Sequence, residues 1–216
     1  MAKPKIHGAN ASPFVRKTRV VLAEKGIDYE LIPLIPFNVS AEFKKISPLG
    51  KIPVYQEGDY TLPDSSCICA SLERVHPEPA LYPKDPKQYG KALFYEEYAD
   101  SKLVESLGPV FFQRVIVAKL MKGKTDEKVV QEKLTQAIPP IFDWLETQVP
   151  DGDGIVGGRF SIADVALATP FVNFMHAGEQ VDAKRWPKLA AYVERIHARP
   201  SFKACIEEEK AQFAAM

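Results

Sequence analysis

Ala11-Ser12-Pro13-Phe14-Val15-Arg16-Lys17-Thr18-Arg19-Val20-Val21-Leu22-Ala23-Glu24-Lys25-Gly26 reads as a helix with both of its ends written into it. Ser12 stands where an N-cap belongs, and Pro13 fills the first helical position, where a missing N–H costs nothing. Gly26 closes the helix as the C′ residue, and the chain returns to extended conformation from Ile27. Lys5-Ile6-His7-Gly8 forms a strand candidate ahead of it, so the whole is a strand running into a helix. The free N–H groups and the positive dipole end of such a helix favour a carboxylate, phosphate or thiolate. The Ser12 hydroxyl can cap the helix or point at a ligand. Arg16, Lys17 and Arg19 read as a solvated helix face.

Working outward, the first eighty residues alternate between extended and helical patterns. Asp28 to Pro33 reads as a second strand and Ser40 to Ile46 as a short helix. Ile52 to Gln56 and Tyr60 to Leu62 flank Glu57-Gly58-Asp59, a hairpin signal in which a Gly/Asp turn separates two β-prone runs. Ser65 to Val75 is helical and stops at His76-Pro77. Residues 1–80 are thus expected to form a small α/β sheet domain. A proline-rich connection follows, taken as residues 81–89. Residues 90–216 are helical in pattern. Gly108-Pro109 is expected to kink or break the run from Gln88 to Lys122, and Pro139-Pro140 the run from Asp126 to Gln148. Further helices are expected from Ile162, Pro187 and Ser201. The fold class is α/β followed by all-α.

Composition narrows the function classes. The 216 residues carry 28 basic and 28 acidic side chains, so no bulk charge draws the chain to nucleic acid or to an anionic membrane. Met1-Ala2-Lys3-Pro4-Lys5 lacks the apolar run of a signal peptide, and no stretch reaches the ~20 apolar residues of a membrane-spanning helix. Cys67, Cys69 and Cys205 show neither a Cys-x-x-Cys pair nor zinc spacing. The expectation is a cytoplasmic protein with free thiols and no metal site. Cys67 and Cys69 read as packing residues. His7, His76, His176 and His197 show no metal spacing either.

Two further segments carry chemistry. A proline opening the strand at Ile52-Pro53-Val54 belongs at an edge, a bulge or a cis turn. A trans bond is the commoner case, since only ~5–6% of X–Pro bonds are cis. A cis bond would turn the Ile52 N–H and C=O outward, to pair with an extended ligand like one more strand. In Leu62-Pro63-Asp64-Ser65-Ser66, Asp64 or Ser65 caps the next helix, which is the ordinary reading. The side chain left over suits an amino-acid head group, the acid taking the ammonium and the hydroxyl and N–H groups the carboxylate. Together with Ser12 these segments fit a short peptide that bears a thiol and a free α-amino acid end.

The chain resembles the cytosolic glutathione transferases over nearly its whole length. The Ser-Pro-x-x-x-Lys-x-Arg run into Leu22-Ala23-Glu24-Lys25-Gly26 is similar to the family's serine-type, bacterial-like first helix. Ser47-Pro48-Leu49-Gly50-Lys51-Ile52-Pro53-Val54 resembles its Asn-Pro-x-Gly-Lys-Val-Pro segment, with Ser47 in place of asparagine. Asp64-Ser65 stands where the family has Glu-Ser or Gln-Ser. Gly158 to Asp164 resembles its capping-box motif, and Trp186-Pro187 through Arg199-Pro200-Ser201 its C-terminal pattern.

The resemblance implies a thioredoxin-like domain, a helical domain, a homodimer, and glutathione as co-substrate for attack on a small hydrophobic electrophile. It implies that Ser12 is catalytic and hydrogen-bonds the glutathione sulfur, with Asn10 as the rival for that contact. Ile52, before a cis-Pro53, would pair with the cysteinyl backbone. Asp64 and Ser65 would hold the γ-glutamyl end, Lys51 would reach the glycyl carboxylate, and Phe14 is near by position. Asp100 would reach the partner subunit's γ-glutamyl group. Ala9-Asn10-Ala11 and the Phe111-Phe112-Val115 region are expected to line the electrophile site. Alternatives from the same resemblance are a glutathione-dependent peroxidase or isomerase, and a non-catalytic binding protein of the stringent starvation protein A type. Ser161 and Asp164 form a capping box, so Asp164 is expected to be structural.

Overall fold

The computed structural model describes residues 3–37 and 39–215 and divides into two compact units, Met1–Tyr82 and Pro83–Met216. The architecture is a thioredoxin-like α/β unit followed by an all-helical one. Residues 86–89, expected in the connection, already lie in the first helix of the second unit.

The first unit opens with strand β1 (Lys5–Gly8), helix α1 (Pro13–Glu24) and strand β2 (Glu30–Pro33). β1 and β2 pair in parallel, with Ile6 opposite Leu31. Helix α2 (Ala41–Ile46) leads to strands β3 (Val54–Glu57) and β4 (Tyr60–Pro63), and helix α3 (Ser65–Val75) closes the unit. The sheet order is β2-β1-β3-β4, with β3 antiparallel to both β1 and β4. Alternation sorts the side chains of β1: Ile6 is fully buried, while the His7 ring lies 6.4 Å from that of Phe43 on α2. Gly8 permits the fit of α1 on the sheet, because a Cβ there would lie 2.4 Å from Val15 Cγ2.

Both ends of α1 form as the sequence predicts. Ser12 Oγ accepts from the Val15 N–H at 3.4 Å. At the far end, Ile27 N–H reaches Leu22 C=O at 2.9 Å and Gly26 N–H reaches Ala23 C=O at 3.1 Å, with Gly26 at φ +65°. This pairing is a Schellman closure. The cations of α1 differ from expectation. Arg16 and Lys17 are 0% exposed and Arg19 is 4% exposed, so they are not a solvated face. From Val15 to Leu22 the helix is buried on all sides, and two of its cations are held by polar partners: Lys17 Nζ donates to Ser66 Oγ at 2.9 Å, and Arg19 Nε donates to Tyr29 Oη at 2.6 Å. Such partners are what a buried cation requires.

The exit from this unit is fastened to it. Leu81 N–H and Tyr82 N–H both donate to the Glu73 carboxylate, each at 3.2 Å to Oε1. Lys25 Nζ pairs with Glu73 Oε2 at 2.7 Å and also donates to the carbonyls of His76 and Pro79 at 2.7 and 3.0 Å.

In the second unit, α4 (Pro86–Tyr98) is capped by Asp85, which accepts from the N–H groups of Lys87 and Gln88. The run from Gln88 is not broken at Gly108-Pro109. It continues through a π-helical segment at Ala99–Leu103, α5 (Val104–Phe111) with Pro109 inside it, and a second π-helical segment at Phe112–Leu120. The next run is not divided into separate helices at Pro139-Pro140 either: α6 (Glu127–Glu132) passes through a π-helical segment (Lys133–Ala137) directly into α7 (Ile138–Gln148), with both prolines in the first turn of α7. Helices α8 (Ile162–His176), α9 (Pro187–His197) and α10 (Pro200–Ala214) complete the unit.

α8 is buried on every face from Ile162 to Phe174 and forms the axis of the unit. Its entry is organised by Asp164, which is fully buried. Asp164 Oδ1 accepts from Ile155 N–H at 2.7 Å and Tyr192 Oη at 2.7 Å, and Oδ2 accepts from Ser161 N–H at 2.8 Å and Ser161 Oγ at 3.2 Å. Gly154 is required beside it, since a Cβ there would lie 2.0 Å from the Arg159 carbonyl oxygen. α9 begins without a side-chain cap of its own, and Glu146 on α7 supplies one, accepting from Lys188 N–H at 3.0 Å and Leu189 N–H at 2.8 Å. Among the described residues no helix is long and apolar enough to cross a membrane.

Candidate active site

Strand register brings the three sequence signals to one end of the sheet. β1 delivers the chain to the turn before α1, and His7 on β1 is opposite Val54, the first residue of β3. Val54 is in turn opposite Pro63, the last residue of β4. The Ala9–Ser12 turn, Ile52-Pro53 and Asp64-Ser65 therefore share the edge where β1 and β4 end and β3 begins.

Ser12 is half-buried at the mouth of α1. The turn that places it is closed by Ser12 N–H donating to Ala9 C=O at 3.0 Å. Its oxygen accepts from Val15 N–H, which leaves the hydroxyl proton to donate outward. Asn10 occupies the same turn, and its Oδ1 accepts from Arg19 Nη1 at 2.9 Å. Phe14 is half-buried in the first turn of α1.

The Ile52–Pro53 bond is cis, and Ile52 stands beyond the ladder, which starts at Val54. Sequence reasoning missed what holds this loop. Ser47, 1% exposed, donates through Oγ to Lys51 C=O at 2.7 Å and accepts from Lys51 N–H at 3.1 Å. A small hydroxyl thus spans the loop as both donor and acceptor, in the position where the resemblance has an asparagine. Lys51 keeps its side chain exposed.

Asp64, and not Ser65, is the cap of α3. Its Oδ1 accepts from Ser66 N–H at 3.0 Å and Cys67 N–H at 3.1 Å. Asp64 is exposed and sits at φ +79°, a conformation that a non-glycine residue holds only when its surroundings impose it. Its Oδ2 has no hydrogen bond among the described residues, so the carboxylate divides between the helix and the open edge. Ser65 is 4% exposed at the first helical position. The Lys17 to Ser66 bond ties α1 to α3 directly behind these two helix starts.

Other expectations fare differently. Cys69 is buried, but Cys67 is exposed, because the third position of α3 faces outward; none of the three cysteines is in a disulfide. Phe111 and Val115 are buried in the helical unit, Phe111 with its ring 6.2 Å from that of Phe213, and only Phe112 of that group is exposed. Asp100 lies in the first π-helical segment.

Comparison with known proteins gives the family of the chain. Residues 6–80 match the family model "Glutathione S-transferase, N-terminal domain", and residues 128–195 match "Glutathione S-transferase, C-terminal domain". The chain is 28% identical to glutathione S-transferase Z2 of Arabidopsis thaliana, over 97% of this chain and 93% of that protein. It is 30% identical to the GST-like protein YibF of Escherichia coli (strain K12), over 92% of this chain and 96% of that one. Among solved structures it is similar to a glutathione S-transferase of Methylobacterium radiotolerans in complex with glutathione sulfonate, with TM-score 0.76, 29% identity and 95% of each chain covered. The chain belongs to the glutathione S-transferase family, a family of transferase enzymes.

Proposed function

We propose that this protein binds glutathione at the sheet edge of its first unit and transfers it, as the thiolate, to a hydrophobic electrophile. The observation that carries the reading is the convergence of Ser12, the Ile52 edge before cis-Pro53 and the half-committed Asp64 carboxylate on one edge. Asp64 Oδ2 takes the γ-glutamyl ammonium, and Ser65 at the start of α3 takes the γ-glutamyl carboxylate. Ile52 pairs with the cysteinyl backbone, and Lys51 reaches the glycyl carboxylate. A homodimer in the cytoplasm, with Asp100 directed at the partner's ligand, completes the proposal.

The chemistry asked of the site is modest. A free thiol of pKa ~8.5 is only a few per cent thiolate at pH 7, and each unit by which it is lowered corresponds to ~1.4 kcal/mol of preferential thiolate binding. The Ser12 hydroxyl and the dipole of α1 together supply interactions of that order. The thiol proton passes to water, the sulfur electron pair forms the new S–C bond, and the electrophile's leaving group departs with the electrons of the broken bond. Serine acts here as a donor to an anion and forms no covalent intermediate.

Titration calorimetry with glutathione, followed by a conjugation assay with an activated aryl halide, tests the reading. Binding with turnover is expected; a protein that takes up no glutathione at millimolar concentration refutes it.

A further inference from the structure

We infer that Asn10 is a second donor to the glutathione sulfur, and that Arg19 is the positioning residue that decides which end of the Asn10 amide does the work. This rests on the glutathione reading above and goes beyond it in naming the donor set.

The argument begins with an inventory of donors. A guanidinium carries five N–H donors and no acceptor. Arg19 Nη1 lies 2.9 Å from the Asn10 side chain, so the atom facing it has to be the carbonyl oxygen. The flipped amide would set donor against donor beside a guanidinium that is withdrawn from water. The amide nitrogen, with its two N–H groups, therefore takes the other branch of the same planar group, angled away from Oδ1 at Cγ. It makes no hydrogen bond to any of the described residues.

Arg19 is fixed in turn. It is 4% exposed, its Nε donates to Tyr29 Oη at 2.6 Å, and its guanidinium carbon stands 5.8 Å from the Tyr29 ring centroid. Held from this side, the fork cannot follow a rotating amide. Asn10 is also fixed along the chain, because the turn closed between Ser12 N–H and Ala9 C=O sets it two residues ahead of Ser12. A cation on Oδ1 polarises the amide and strengthens its N–H groups as donors to an anion. The outcome is a pair, a hydroxyl and an amide N–H, leading into the same helix start. A thiolate accepts both.

Asn10→Asp is the decisive variant. One carboxylate oxygen keeps the Arg19 fork, so the turn survives, while two donors are exchanged for a charged acceptor. The ultraviolet absorbance of bound thiolate, titrated against pH, should show the apparent thiol pKa rising by at least ~1 unit relative to the parent protein. Turnover at neutral pH should fall ~10-fold or more, with KM for glutathione moving less than ~3-fold. Arg19→Met should raise the thiol pKa as well, and Arg19→Lys, which keeps a cation for Oδ1, should restore part of the difference. An Asn10→Asp protein that binds glutathione with the parent's thiol pKa overturns this inference and leaves the glutathione reading standing. A raised KM with an unchanged thiol pKa also overturns it, since Asn10 would then hold the peptide and not the sulfur. A parent protein that fails to bind glutathione overturns both.

Discussion

Tyr192 donates its hydroxyl to Asp164 Oδ1 at 2.7 Å, from α9 to the first turn of α8, inside the core of the helical unit. Burial pushes the Asp164 carboxyl above the usual carboxylate range, against the opposing effect of the bonds from Ile155, Tyr192 and Ser161. The same burial, with the Asp164 charge beside it, pushes the Tyr192 hydroxyl well up. An acid so placed resembles a catalytic group, yet every contact it makes is with the fold.

Asp164→Ala should therefore cost ~3–5 kcal/mol, because it strands buried N–H and O–H donors. Activity per folded site should be nearly unchanged. The measurement is the denaturation midpoint set against turnover normalised to folded protein. A stable but inactive variant would contradict the structural role. The pH dependence has a definite sign. With its folded pKa above the unfolded value, Asp164 binds more protons in the native state between the two, so its contribution falls as pH rises through that window. The stability advantage of the parent over Asp164→Asn should consequently widen as pH drops from neutrality towards the ordinary carboxylate range.

Ser12→Ala should lower turnover ~10- to 100-fold, the equivalent of one strong hydrogen bond to an anion, with a smaller change in glutathione affinity. The thiolate absorbance of the complex at neutral pH should fall in parallel. Unchanged turnover would remove Ser12 from the chemistry.

Glutathione at a hundredfold excess over its Kd should stabilise the folded protein by ~2.7 kcal/mol. Asp64→Ala should abolish most of this gain, since the ammonium loses Oδ2. It should also lower the stability of the unliganded protein by ~0.5–2 kcal/mol, because α3 loses its cap. Thermal melts with and without ligand separate the two effects. An Asp64→Ala protein that keeps the parent's ligand-induced shift would exclude the clamp.

Glu146→Ala should destabilise the helical unit by ~1–2 kcal/mol, as two N–H groups at the start of α9 lose their shared acceptor. Glu146→Gln should recover part of that. The check is a pair of urea denaturation curves compared at equal slope, and a destabilisation under ~0.3 kcal/mol would show that water caps α9 as well as Glu146 does.

Much of the fold was legible because its punctuation is local. Ser12-Pro13 and Gly26 act within one turn, as does Gly58-Asp59 in the hairpin, and the structure forms both elements there. Asp64 was ambiguous with Ser65 until the cap was seen. What the sequence concealed depends on partners distant in the chain. Arg16, Lys17 and Arg19 resemble surface residues because nothing local announces Ser66, 49 residues from Lys17, or Tyr29. Cys67 and Cys69 illustrate the limit of residue type as a guide: identical thiols two positions apart on α3 face opposite ways. Pro109 signals a kink or a break by its missing N–H; the helix is not broken there but carries on through it and changes its hydrogen bonding at Phe112.

The Glu73 strap has a practical corollary for anyone dissecting the molecule. A fragment ending at Ala80 looks natural by composition, yet it deletes the two N–H groups, of Leu81 and Tyr82, that occupy the Glu73 carboxylate. Glu73 would keep only Lys25, a cation with 0% of its side chain exposed, and the severed end would expose that pair to water. A fragment ending at Tyr82 retains the full set of donors. Two residues at a cloning boundary thus decide whether the isolated first unit inherits its own fastening or begins life frayed at the corner where α1 and α3 meet.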